Sequence, residues 1–145
     1  MTLSPSQFPS PPPNELPRTT APLNRTPFIL AGVGAMLASL YWAALTLLIG
    51  FAAASGSGST FRVIVPCILI ALYAVRGYQL FKGDPAAARR VLWLHGIGGV
   101  MAVIQIASGD AVLQVLNGIK VAIHVFGAVT AYMATRAYAD SQTRG

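Results

Sequence analysis

Four long apolar stretches, separated by short polar breaks, dominate the pattern of hydrophobic and polar positions along this chain. A helix needs about 20 residues to cross ~30 Å of hydrocarbon, and each stretch is near that length. Irregular backbone cannot face lipid, and barrel strands are short and alternating, so each stretch is predicted to be helical. The sequence therefore predicts an all-α integral membrane four-helix bundle. The predicted helices cover residues 28–53, 61–81, 85–107 and 112–138.

The polar breaks contain residues that typically start or end helices. Glycines and serines at 55–60 separate the first two stretches, and "SGD" at 108–110 ends the third. Asp84 and Pro85 provide an N-cap and a first helical residue for the third helix. The helices are predicted to form one domain, residues 28–139, followed by a short cytoplasmic tail at 140–145.

Residues 1–27 hold eight of the ten prolines of the chain. Proline lacks a backbone N–H and blocks helix formation, so this segment is predicted to be a disordered, Pro-rich cytoplasmic tail. A cleaved signal peptide is the alternative, since Ala52–Ala54 resemble a small-residue cleavage site. The apolar run before them is about twice the usual signal-peptide core, which favours an uncleaved membrane anchor.

The composition agrees with lipid as the solvent, because 54% of the residues are hydrophobic and 10% are charged. Soluble domains usually carry about 25% charged residues. The net charge of +6 raises the question of nucleic-acid binding. The cations stand singly or in pairs beside apolar runs, so anionic lipid headgroups are the predicted partners and nucleic acid is not.

The basic residues predict an orientation, because they prefer the cytoplasmic side of a membrane. With four spans, eight basic residues fall on the side of the two termini and two on the opposite side. Both termini are therefore predicted to be cytoplasmic. The residues predicted to contact lipid headgroups are Arg76, Lys82, Arg89, Arg90 and Arg136.

Small residues repeat along one face of several predicted helices. Transmembrane helices associate through close backbone contact, so such faces predict helix packing in the bundle centre or at a homo-oligomer seam. The residues predicted to pack in this way are Ala35, Ser39, Ala43, Gly98, Gly99, Ala102, Gly127 and Ala131.

Polar residues lie among these small ones in the last two helices. At 100° per residue, His95 and Gln105 share one helix face, as do Asn117, Lys120 and His124. Polar groups inside a membrane usually face the bundle interior, so these residues predict a polar seam between the two helices.

The relative depth of the two histidines can be counted in two ways that disagree. From Gly109, His95 lies 14 residues back and His124 lies 15 residues ahead, which places them level. From the basic end, His95 is five residues from Arg90 and His124 is twelve from Arg136. At ~1.5 Å per residue, the second count separates them by roughly 10 Å.

Three interpretations of the histidines follow. They are packing residues that hydrogen-bond across helices, a titrating relay with Lys120, or axial ligands of a haem. The first is favoured, so no cofactor is predicted, with His95 and His124 as the candidates if one binds. Cys67 is the only cysteine, and no metal site is predicted.

The stretch "GYQLFKGDPAAARRVLWLHGIGG" at 77–99 resembles a feature of many small bacterial four-helix inner-membrane proteins of unknown function. A glycine and a leucine close one helix there, a short basic loop follows, and Ala-Arg opens the next helix. The residues that carry the resemblance are Gly77, Leu80, Lys82, Gly83, Ala88 and Arg89. It implies a bacterial inner-membrane setting and no functional residues.

No acidic residue lies inside an apolar stretch, and no nucleophile elbow, P-loop or dinucleotide fingerprint is present. We therefore expect no catalytic residues. The favoured function is an accessory or structural membrane protein that associates with itself or with a larger membrane complex. The alternative is a small transporter or channel lined by the polar seam, and a haem-binding redox subunit comes third.

Overall fold

The computed structural model of the chain describes residues 22–54, 61–106 and 111–143. These ranges contain α-helices and no β-strand. All four helices are long and apolar enough to cross a membrane, which confirms the predicted all-α membrane four-helix bundle. The helices are α1 (Thr26–Ala54), α2 (Phe61–Phe81), α3 (Pro85–Ile106) and α4 (Ala111–Thr143).

The predicted Pro-rich disorder concerns residues that lie mostly outside the described part of the chain, since residues 1–21 are not described. Residues 22–25 precede α1 without regular secondary structure. The last helix differs from its predicted end at residue 138, because α4 continues to Thr143 and takes in part of the expected tail. At ~1.5 Å per residue, its 33 residues exceed ~30 Å of hydrocarbon, so α4 reaches into the headgroups or water.

The helices form an up-and-down bundle in which sequence neighbours are antiparallel. α1 packs against α2 and α4, and α3 packs mainly against α4, whereas α2 and α3 have a thinner interface. Between α1 and α2, the Ser39 hydroxyl donates to the carbonyl of Ile70 over 3.1 Å. Between α1 and α4, the Tyr41 hydroxyl donates to the carbonyl of Leu116 over 3.4 Å.

Small side chains fill much of the core, and large apolar ones cover much of the outside. Leu40, Leu47 and Phe51 are 67%, 65% and 77% exposed, as expected for side chains that face lipid. Because lipid is as apolar as leucine, burial gives little drive for helix association, and close packing of small residues provides it. The fully or almost fully buried alanines are Ala31, Ala35, Ala38, Ala87, Ala88, Ala102, Ala131 and Ala134.

The turn between α2 and α3 is fixed by hydrogen bonds at both helix ends. Gly83 has a φ of 82°, and its N–H donates to the carbonyl of Leu80 while the N–H of Asp84 donates to that of Gln79. This pair of bonds is a Schellman motif, in which glycine avoids the cost of a left-handed backbone. The Asp84 carboxylate then caps α3 by accepting from the N–H of Ala86 over 2.8 Å, as the sequence indicated.

Candidate functional site: a histidine pair between α3 and α4

His95 of α3 and His124 of α4 meet inside the bundle. Their Nδ1 atoms lie 3.0 Å apart, which is hydrogen-bond distance. His95 is 0% exposed and His124 is 2% exposed. The two histidines are therefore level and joined across the helices.

The count from Gly109 placed the histidines correctly, and the count from the arginines was misleading. Tyr138, two residues after Arg136, lines a groove with Pro85 and Arg89 at the start of α3. Arg136 is thus near the level of Pro85, several residues before Arg90. The extra length of α4 beyond the level of Arg90 accounts for the apparent offset.

Tyr73 of α2 packs its ring against both histidines, so a third helix contacts the pair. Its ring centroid lies 5.0 Å from that of His95 and 6.1 Å from that of His124, and the side chain is 1% exposed. Aromatic rings at these separations attract one another through tilted contacts. The pair is thus held within an aromatic cluster made by three helices.

Glycines make room for both imidazoles. A Cβ on Gly98 would lie 2.5 Å from Cε1 of His124, and a Cβ on Gly127 would overlap Nε2 and Cε1 of His95. Real Cβ atoms do not approach so closely, so any larger residue at either position would displace an imidazole. Each histidine thus packs against a glycine of the opposite helix.

The tautomers of the pair follow from its surroundings. A bond between two neutral Nδ1 atoms requires a proton on one of them only. His95 Nε2 is buried and has no hydrogen-bond partner within the described ranges. Placing the proton on His95 Nδ1 leaves its Nε2 as a bare acceptor. The opposite tautomer would bury an N–H without an acceptor, which costs more.

Lys120 lies one helical turn from His124, toward the end of the bundle opposite the α2–α3 turn. Its ammonium donates to Oε1 of Gln105 over 3.0 Å and lies 4.7 Å from the ring centroid of Trp42. The side chain is 5% exposed. The amide oxygen and the indole face are both favourable neighbours for a cation in a poorly hydrated position.

The predicted polar seam therefore consists of two separate bonds between α3 and α4, one within the histidine pair and one between Lys120 and Gln105. Asn117 is half-buried, one turn before Lys120. On the basic side of the pair, the buried residues of α3 and α4 are apolar except for Thr130, whose hydroxyl donates to carbonyls of its own helix. Ala88, Val91, Ala131 and Ala134 are each 0% exposed there.

The donor geometry bears on metal and haem binding. No group of three or more metal-ligating side chains occurs in the ranges that the structure describes. The Nδ1 atoms of His95 and His124 lie 3.0 Å apart, so in this arrangement these two nitrogens bond to each other.

The structure places the predicted packing residues at helix contacts in most cases. Ala35, Ala102 and Ala131 are 0% exposed and Ser39 bonds to α2, whereas Ala43 is half-buried. Gly99 contacts the Cβ of His124 at 3.5 Å, and Gly98 and Gly127 contact the imidazoles.

Sequence reasoning missed Tyr73, Gly34 and Trp42 as parts of the site. A Cβ on Gly34 of α1 would lie 2.9 Å from Cα of Gly127, so the two backbones touch. Gly34 stands beside Ala35, one of the predicted packing residues, and this was the available signal. Tyr73 and Trp42 lie in apolar runs that do not distinguish a core ring from a lipid-facing one.

The basic residues are concentrated at one end of the bundle and differ in their partners. Arg76 donates to Gln79 over 2.6 Å, and Arg136 donates to the Tyr132 hydroxyl over 2.9 Å. The ammonium of Lys82 lies 4.5 Å over the ring of Tyr78. Arg89 and Arg90 are exposed at the start of α3.

Comparisons of the chain with protein-family models, with curated proteins and with solved structures found no match. The resemblance of residues 77–99 to small bacterial inner-membrane proteins stays a prediction.

Proposed function

We propose that this protein is an accessory or structural multi-pass membrane protein whose polar seam fastens α3 to α4. The observation that carries the proposal is the pairing of polar side chains inside the bundle. His95 bonds to His124, and Lys120 bonds to Gln105. Polar groups that bond to one another across transmembrane helices stabilise their contact, and for Lys120 the bond to Gln105 offsets part of the cost of a charge inside the membrane.

The apolar contact on the basic side of the pair supports the same proposal. A transport pathway needs polar or hydrated positions through the whole membrane. The fully buried Val91, Ala131 and Ala134 instead pack between the histidines and the basic end. This packing favours a sealed bundle that acts through association.

The location and the orientation of the protein in the membrane are also part of the proposal. We place both termini in the cytoplasm, because the basic residues gather at the end that holds the α2–α3 turn, and we take a bacterial inner membrane as the setting that the resemblance of residues 77–99 implies. The partner is a second copy of the chain or a larger membrane complex, reached through small residues or lipid-facing side chains.

Quantitative pull-down of the full-length chain, expressed at its native level in gentle detergent, tests the association. The expected result is a membrane partner, or a second copy, in fixed stoichiometry. A monodisperse monomer without any stoichiometric partner contradicts an accessory role.

A second candidate is a small proton or ion transporter that uses the seam. One observation favours it: Lys120 and two histidines lie within two helical turns on α4 and α3, and His95 Nε2 has no partner among the described residues. Intramembrane ionisable groups often mark pathways.

Flux into liposomes that contain the purified chain and a pH-sensitive dye separates the two functions. The accessory function predicts the same proton leak as empty liposomes. The transporter function predicts a proton leak that is lost in Lys120→Met and in His124→Ala. The leak should be kept in Lys82→Met, which removes an exposed cation in the α2–α3 turn.

A further inference from the structure

A concave site of about 380 Å³ lies where the start of α3 meets the end of α4. It is distant from the histidine pair and lies at the basic end of the bundle. Its lining residues are Pro85, Ala86, Arg89, Arg90 and Tyr138.

Two guanidinium groups dominate the chemistry of this site. No hydrogen bond or ion pair joins the side chains of Arg89 or Arg90 to another residue of the described chain. Two other arginines of this end have partners, since Arg76 bonds to Gln79 and Arg136 bonds to Tyr132. The site thus combines a cavity with two cations whose donors are unused.

Two carboxylates, those of Asp84 and Asp140, belong to the same end of the bundle. The Asp84 carboxylate accepts from the N–H of Ala86, so it caps α3 and occupies an amide that could otherwise hold an anion. Asp140 lies one turn beyond Arg136 on α4. An anion in the site would therefore depend on the arginine side chains and the Tyr138 ring rather than on the helix terminus.

The depth of the site matches lipid phosphate. Arg89 and Arg90 lie in the second turn of α3, a helix apolar enough to span the membrane from Pro85 to Ile106. Trp93 follows one turn deeper and is 73% exposed, as expected for an interfacial aromatic residue. The guanidinium groups are therefore near the headgroups, where planar forks of N–H donors suit phosphate oxygens.

We propose that this cavity binds the phosphate of an anionic membrane lipid, with Arg89 and Arg90 as its donors and Tyr138 as the wall on α4. The lipid then bridges α3 and α4 at the end of the bundle opposite the Lys120–Gln105 bond. The same chemistry would accept a soluble phosphate, so the source must be distinguished by experiment.

Native mass spectrometry of the full-length protein in neutral detergent, titrated with phosphatidylglycerol or phosphatidylcholine, tests the proposal. We expect preferential retention of phosphatidylglycerol. Arg89→Gln and Arg90→Gln should each weaken it about fivefold, as one cation near a membrane surface contributes. The matched controls Arg76→Gln and Arg136→Gln, whose arginines already have partners, should change it less than about twofold.

Several outcomes would overturn the proposal. An equal loss in all four variants would mean that general surface charge attracts the lipid. Unchanged retention in Arg89→Gln/Arg90→Gln would remove the site. Displacement of the lipid by inorganic phosphate at similar affinity would make soluble phosphate the ligand. Unchanged thermal unfolding of the variants, expected because both arginines are exposed, excludes misfolding as the cause of a loss.

Discussion

Gly34 of α1 and Gly127 of α4 touch backbone to backbone, so that a Cβ on Gly34 would lie 2.9 Å from Cα of Gly127. Gly127 also faces α3, where a Cβ would overlap the imidazole of His95. One glycine thus permits two close contacts, and the approach of α1 to α4 is linked to the position of the histidine pair. Substitutions at Gly34 and Gly127 therefore test the contact with α1 and the contact with His95 one at a time.

Gly127→Ala should lower the free energy of unfolding by about 1–3 kcal/mol, because the new methyl group overlaps the His95 ring and must displace it. The loss should be much smaller in a His95→Ala background, where the obstructing ring is gone. Unfolding in mixed micelles of increasing SDS content, followed by circular dichroism, measures both values.

The controls use glycines with different neighbours. Gly96→Ala and Gly118→Ala place a methyl group where nothing lies within 4 Å, so stability should be unchanged or slightly raised. Gly34→Ala meets backbone, so His95→Ala should not rescue it. If Gly127→Ala behaved like Gly96→Ala, the close contact with His95 would be wrong.

The hydrogen bond between His95 and His124 should appear as an energetic coupling. In a double-mutant cycle with His95→Ala and His124→Ala, we expect a coupling of about 0.6 kcal/mol, the average for polar pairs between transmembrane helices, and no more than about 1.7 kcal/mol. Each single variant should also lose packing against Tyr73. Additive losses, with no coupling, would show that the rings do not interact.

Removing the charge of Lys120 should not destabilise the bundle. Lys120→Met keeps the approximate length of a side chain that is 5% exposed while removing the ammonium that lies over the ring of Trp42. Because a charge inside a membrane is costly, we expect unchanged or higher stability in SDS unfolding. Lys82→Met removes an exposed ammonium that lies over the ring of Tyr78, and it should change the free energy of unfolding by less than about 0.5 kcal/mol. A clear loss in Lys120→Met alone would mean that the Lys120–Gln105 bond outweighs the cost of the charge.

The α2–α3 turn should depend on glycine at position 83. Gly83→Ala forces a Cβ into a backbone with a φ of 82° and should lower stability by about 1–2 kcal/mol. Gly83→Asn should lose less, because asparagine tolerates this conformation at helix ends. Thermal unfolding in detergent compares the two variants. Equal stability of the alanine variant and the original chain would contradict the Schellman motif.

The orientation can be read from reporter fusions. If both termini are cytoplasmic, green fluorescent protein fused after residue 145 should fluoresce and alkaline phosphatase at the same position should be inactive. Alkaline phosphatase fused after residue 57, between α1 and α2, should be active. The reverse pattern at either position would overturn the predicted orientation.

Much of the fold was readable because its causes are local. Apolar length predicts the four spans, and Asp84 with Pro85 predicts the start of α3. The end of α4 was not readable, since the polar and charged residues around Arg136 and Asp140 are compatible with either helix or tail. Nothing in the local sequence there stops a helix.

The sequence by itself determined that the chain crosses a membrane as helices, because the solvation of apolar side chains and backbone groups depends on residues close together in the chain. It also indicated a polar seam, since helical periodicity places His95 with Gln105 and Lys120 with His124. Only the tertiary structure decided that the two imidazoles meet at 3.0 Å, with Tyr73 beside them and glycines behind them. That contact depends on the offset and close approach of separate helices, which packing between distant residues sets and no single stretch of sequence contains.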